Sequence, residues 1–423
     1  MRSISYFSTG ALLAGVVTSA GLSAGASTTP IELLPVGDSI TFGVGTDSGD
    51  TIDYGPFPVD QFGDPVNPDD DLGGYRFYLD MLLSPDFDFV GNRSQGDGIS
   101  GVVGFSDNQG FGEPGAQATN VNPFNGGTPS ILTAVDNIAP GNSSTNALFD
   151  PSVTKPDAVL LHIGINSIFR DSFIVDTGDN AADLESTIQS AVGELETLLK
   201  GDSRTGLVER LTDTSYFEED AHLFIALINP RADGKDNANS ARFITQLQPN
   251  TVGDYNSRVR DLIESEAVPG GDLEDLQGRY TFVDLFSIAI SELDTQALAD
   301  EFYGGNLSDL LAAINPEDEG DAGIDDDYVD WVYNPSFDFD EGEYDNGEYD
   351  GSIQLMSQTR DVNYNTALLP DGLHPSNLGA AINAQVWANA INSSGIPEPG
   401  SLVLLAAGGA MLLTRRRRSL NNA

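Results

Sequence analysis

Five short apolar runs, at residues 31–35, 87–90, 158–163, 223–228 and 280–285, constrain this chain more than any other feature of it. Each is rich in Val, Ile, Leu and Phe and poor in charge, the composition of strands buried on both faces in a parallel sheet. Segments with a different period separate them. Residues 181–201 place Leu184, Ile188, Ala191, Val192, Leu195, Leu198 and Leu199 on one stripe at helical spacing, with Asp179 or Asn180 as cap and Gly201 as stop. Helices are also expected over 75–83, 255–266 and 377–391. Strand, helix and strand in regular succession require crossovers, so the expected class is α/β, a three-layer parallel-sheet architecture. Two stretches break the rhythm: a loop rich in Gly, Pro and Asp at 44–73, and an insertion at 287–362.

Charge restricts the partners. The chain of 423 residues carries 65 acids against 19 bases, a formal net charge of -46. Phosphate backbones and anionic lipid would be repelled at long range, which argues against nucleic acid as a partner. Cysteine is absent, so no disulfide, thiolate metal site or cysteine nucleophile can form, and covalent catalysis needs another side chain. Within the insertion, residues 315–350 hold fifteen acids and no base, including GEYDNGEYDG. Such a run reads as a solvated loop or as oxygen ligands for a hard cation such as calcium. Tyr328, Trp331, Tyr333, Tyr344 and Tyr349 lie among these acids and leave an aromatic sugar-binding platform open.

Both termini read as sorting signals. Arg2, the apolar stretch 11–26 and the small residues Ala24, Gly25 and Ala26 describe a secretory signal cleaved after Ala26. At the other end come Pro397, Glu398 and Pro399, an apolar span at 402–413, and Arg415 to Arg418. A basic cluster behind an apolar span stays cytoplasmic, so this tail would hold an exported body at the outer face of a membrane. The span is short of the roughly 20 residues that cross a bilayer comfortably, so the anchor would be transient. The tail resembles a PEP-CTERM sorting signal. That resemblance implies an exosortase-type processing enzyme, a Gram-negative source that makes exopolysaccharide, and a location at the cell surface or beyond. The chain then divides into a signal peptide (1–26), one domain (27–395) and a sorting tail (396–423).

The first apolar run leads into PVGDSITFGVG at 35–45. A sharp turn after a strand presents the next side chain at the carboxyl edge of the sheet, where open α/β sheets keep their ligands. Ser39 is therefore a candidate nucleophile, and it equally suits a capped turn. A serine hydroxyl needs a base, and histidine is the usual one. Of the three histidines, His162 and His222 lie in strand-like runs and read as structural. His374 follows Asp371 in a Pro-Asp-Gly turn, so the carboxylate can accept the Nδ1 proton and fix the tautomer. The oxyanion formed by attack on an ester needs fixed donors. Candidates are the Ser39 backbone amide, the Asn166 side chain just after the third apolar run, and a loop glycine.

Taken together, GDSITFG at 37–43, GIN at 164–166 and DGLH at 371–374 resemble, in order and chain position, the motifs of the SGNH, or GDSL-like, hydrolase family. The resemblance spans residues 31–392. It implies a flavodoxin-like α/β/α fold around a five-stranded parallel sheet with long loop insertions. It also implies Ser39 as nucleophile and first oxyanion donor, Asn166 as second donor, His374 as base and Asp371 as its orienter. A glycine in SDNQGFGEPGAQATNV would complete the hole, Gly115 by preference and Gly112 otherwise, although the family's lead-in residues are missing there. Ser167 stands where the family most often carries aspartate. The expected activity is a secreted serine esterase without metal or organic cofactor, acting on acyl groups, acetyl foremost, of polysaccharides. The alternatives are a lipase or lysophospholipase, and a non-catalytic surface protein that binds calcium or glycan.

Overall fold

The computed structural model describes residues 30–42, 74–83, 87–94, 109–112, 116–120, 130–167, 180–229, 255–316, 328–333, 363–365, 367–369 and 374–396. The expected signal peptide, nearly all of the sorting tail, Asp371 and Gly115 lie outside them, as does most of the acidic run. Among the described residues no helix is long and apolar enough to cross a membrane.

All five apolar runs are strands of one sheet. β1 (Ile31–Gly37) is central; β2 (Phe87–Phe89), β3 (Arg93–Ser94), β4 (Gln109–Gly112), β5 (Ala158–His162), β6 (His222–Leu227) and β7 (Tyr280–Asp284) complete it. On one flank β1 pairs first with β2, through Ile31 to Leu33, and then with β4, through Val36 and Gly37. On its other flank lies β5, followed by β6 and β7, all parallel. Two short strands in succession thus fill one position beside β1, and the parallel sheet is five positions wide, in the flavodoxin-like order. β3 adds an antiparallel edge to β4.

That split neighbour accounts for a proline inside a central strand. Pro35 falls between the end of the β2 register at Leu33 and the start of the β4 register at Val36. A residue without an N–H is tolerated where the ladder on one side is interrupted. β5 and β6 are buried along their whole length, as strands covered on both faces must be.

Helices form the outer layers. α1 (Ser39–Phe42) is a single turn directly after β1; α2 (Tyr75–Leu82), α3 (Ile131–Asp136), α4 (Asn180–Lys200), α5 (Leu207–Thr212) and α6 (Tyr255–Glu266) follow. α7 (Thr295–Phe302), α8 (Leu307–Ile314) and α9 (Asn377–Ser393) come last. α2, α7, α8 and α9 make one group by mutual packing, and α3, α4, α5 and α6 make the other. In α4 the expected stripe faces inward, with Ile188, Ala191, Leu195, Leu198 and Leu199 buried, and Gly201 closes the helix at φ 87°. α9 is built of small residues and lies deep. Its Trp387 stacks on Tyr75 of α2, with ring centroids 5.6 Å apart and planes 15° from parallel.

The insertion at 287–362 begins as ordered core. Leu298, Ala299 and Phe302 of α7 and Leu310 and Ile314 of α8 are buried, and Tyr78 of α2 meets Phe302 at 5.9 Å. A two-stranded antiparallel pair, β8 (Val332–Tyr333) and β9 (Asn363–Tyr364), then sets Tyr333 opposite Asn363. Trp331 is not available to the aromatic platform that the sequence leaves open. It is 2% exposed, packed where Gly379 of α9 leaves room for it, because an indole of this size is worth more to the core than to solvent. Tyr328 is exposed, and Tyr344 and Tyr349 lie outside the described residues.

Candidate active site

Gly37 ends β1, and nothing larger fits there. A Cβ at this position would lie 2.2 Å from the His162 carbonyl oxygen and 2.2 Å from Thr41 Oγ1. The chain therefore turns tightly against the end of β5 and enters α1 at once. Asp38 holds the turn, one carboxylate oxygen accepting the Ile40 N–H at 3.1 Å. Ser39 is the first residue of α1 and stands at the carboxyl edge of the central strand.

The candidate base, His374, comes from far along the chain. His374 Nε2 lies 3.0 Å from Ser39 Oγ, within reach for proton transfer. The cap of α9 follows two residues further on. Ser376 Oγ accepts the Gly379 N–H at 3.1 Å and donates to the Ala367 carbonyl at 2.6 Å. Loss of such a cap costs about 1 kcal/mol. Ser376→Ala is therefore expected to lower the urea midpoint by the stability of one helix cap, and an unchanged midpoint would mean that the cap adds nothing to the stability of α9.

Three strand ends converge here. Gly37 is registered with His162 of β5 on one side and with Gly112 of β4 on the other. Gly112 is thus beside the turn, while Gly115 lies outside the described residues. Past β5, Gly164 takes φ 134° with the Tyr255 hydroxyl 2.3 Å from where its Cβ would be, so only glycine makes this approach. Asn166 follows, partly exposed. Its side-chain amide donates to the Ala116 carbonyl at 3.1 Å, and its own carbonyl accepts from Gln117 Nε2 at 3.2 Å. Both bonds bind it to the segment that continues from β4.

Two groups beneath the serine were read in the sequence only as turn and core residues. Asp38 and His162 are both completely buried, with Oδ1 and Nδ1 3.9 Å apart. Burial raises the Asp38 carboxyl to about 7, against the Ile40 N–H and the nearby His374, which lower it. Burial likewise lowers His162 to about 4. His222 is structural as expected, its Nε2 2.9 Å from Thr281 Oγ1 on β7. The signal for Asp38 was its place between a fully buried strand end and the serine, where a carboxylate has no route to water. Among the described residues no cluster of three or more His, Asp or Glu side chains is arranged to hold a metal ion.

No family model matches the chain, and no curated protein matches it in sequence. Among solved structures it is similar to a possible lipase from Chitinophaga pinensis DSM 2588, at 15% identity and a TM-score of 0.33, over 87% of this chain and 100% of that one. It is also similar to an active-site mutant of a family two carbohydrate esterase from Clostridium thermocellum, at 14% identity and a TM-score of 0.26. That overlap spans 60% of this chain and 54% of the esterase.

Proposed function

We propose that this protein is a serine esterase that transfers an acyl group to Ser39 and then to water. The observation that carries the reading is the 3.0 Å approach of His374 Nε2 to Ser39 Oγ, at the sheet edge where α/β folds keep their ligands. With the Nδ1 tautomer, held in this reading by Asp371, Nε2 accepts the hydroxyl proton as the oxygen attacks the ester carbon. The new C–O bond forms, the oxyanion meets the Ser39 amide and the Asn166 side chain, and the ester bond breaks as His374 returns the proton to the leaving alcohol. Water repeats the sequence on the acyl-enzyme and releases the carboxylic acid.

Polysaccharide-borne acetyl esters are the proposed substrates. The reading is supported by the exopolysaccharide context of the tail and by a net charge of -46, which disfavours anionic lipid surfaces. It also entails export, with an exosortase-type enzyme acting on the tail.

The test is release of acetate from acetylated xylan, beside p-nitrophenyl acetate and a long-chain p-nitrophenyl ester, by the full chain and by Ser39→Ala. Ser39-dependent turnover with preference for the acetylated polymer is the expected result. Preference for the long-chain ester would move the assignment to a lipase. Equal background rates from both proteins on every substrate would overturn the esterase reading.

A further inference from the structure

We infer that Glu194 of α4 is the positioning residue that holds Asn166 in place as an oxyanion donor, an inference that rests on the esterase reading above. One oxygen of its carboxylate accepts the Ser167 hydroxyl at 2.6 Å. The other accepts the side-chain amide of Asn120. Ser167 follows Asn166 directly, and Asn120 belongs to the same segment as Ala116 and Gln117. The four hydrogen bonds therefore close a ring: Glu194 to Ser167, Asn166 to Ala116, Gln117 back to Asn166, and Asn120 back to Glu194.

The ring has a rigid side. Glu194 sits between the buried Ala191 and Leu195 on a helix of 21 residues, so its backbone cannot follow a shifting loop. Residues 116–120 and 165–167 lie beyond strand ends; the first segment is tied to α3 through the Gln117 and Ala118 carbonyls, which accept the Ile131 and Leu132 N–H groups, and among these bonds only those to Glu194 tie both segments to α4. A carboxylate is suited to tie them, because hydrogen bonds to an ionised acceptor are about twice as strong as neutral ones and two can be accepted at once. Ser167 is 2% exposed, so a lost bond there would not be replaced readily by solvent.

The consequence is specific to the transition state. A donor aimed at developing charge contributes to turnover and little to ground-state binding. Loosening Asn166 should therefore lower kcat and leave KM nearly unchanged. It should also weaken phenylboronic acid, whose boron takes the Ser39 oxygen and becomes tetrahedral and anionic.

The experiment measures kcat and KM for p-nitrophenyl acetate, and the inhibition constant of phenylboronic acid, in the full chain and three variants. Glu194→Ala is expected to lose about 10- to 100-fold in kcat, the scale of a misplaced catalytic group. KM should stay within about twofold, with boronate affinity falling in step with kcat. Glu194→Gln keeps an acceptor and should recover most of the loss. Lys200→Ala breaks the ion pairs of the same helix to Glu196, Glu266 and Asp272 without touching the ring, and should leave kcat unchanged. Wild-type kcat and boronate affinity in Glu194→Ala would overturn the inference and leave the esterase intact. An equal loss in Lys200→Ala would also overturn it, by showing only a helix-stability effect. Absence of Ser39-dependent turnover in the wild type would remove both readings together.

Discussion

Replacing Ser39 by alanine is expected to lower kcat for p-nitrophenyl acetate by roughly four to six orders of magnitude, and His374→Ala to do nearly the same. The double variant should be no worse than either single one, because in the proposed mechanism nucleophile and base act as one unit: without the base the hydroxyl is not activated, and without the hydroxyl the base has nothing to deprotonate. The 3.0 Å contact between Nε2 and Oγ is the physical ground for this non-additivity. Single-turnover kinetics across the four proteins checks it, together with the mass of the chain after a fluorophosphonate reagent, which should add one adduct in the wild type and none in Ser39→Ala. Independent, multiplying losses would mean that the two residues do not share one step. A fall of less than about tenfold in Ser39→Ala would remove serine as the nucleophile.

Much of this arrangement was legible in the sequence because burial on both faces leaves a simple signature. The five strands show as uninterrupted apolar runs, and α4 shows as a stripe that ends at a glycine. β4 was not legible. Its four residues QGFG have neither length nor periodicity, and they form a strand only because β2 stops at Phe89 and leaves the end of β1 without a neighbour. α7 and α8 were hidden for a related reason: each is only eight residues long, and the acidic run downstream dominates the composition of the insertion.

The site divides in the same way. Ser39 and His374, which the structure brings to 3.0 Å, and Asn166 could be singled out in the sequence because each follows a strand or precedes a helix within a short motif, and the fold delivers strand ends to one edge. Glu194 and the Asp38–His162 pair were missed because what matters in them is three-dimensional. A glutamate on a polar helix face looks solvated until the segments it ties are known. An aspartate in a turn looks exposed until the turn is found packed under β5. Local pattern announces groups that chemistry needs at an edge, whereas groups that support them from beneath depend on long-range packing.

That buried pair yields the second large effect. Folding raises Asp38 from an unfolded value near 3.8 to about 7, so between these limits the folded chain keeps a proton that the unfolded chain has released. Stability associated with Asp38 is therefore full below about pH 4 and declines by about 1.4 kcal/mol per pH unit up to about pH 7. His162 has the opposite sign. Its folded value of about 4 lies below the unfolded 6.5, so its contribution is full above pH 6.5 and declines as pH falls toward 4. Across the window between, folding hands one proton from His162 to Asp38, the two slopes cancel, and the wild-type pair contributes a nearly level stability. Asp38→Asn removes one slope. Its amide oxygen can still accept the Ile40 N–H, and its stability relative to wild type should rise by about 4 kcal/mol from pH 4 to pH 8. His162→Asn should show the reverse trend, gaining on wild type toward low pH. Urea titrations of the three proteins at several pH values measure these differences directly, and the many surface carboxylates drop out of each comparison. A variant-to-wild-type difference that is independent of pH would mean that folding leaves the Asp38 carboxyl at its unfolded value, and would overturn this account of the buried pair.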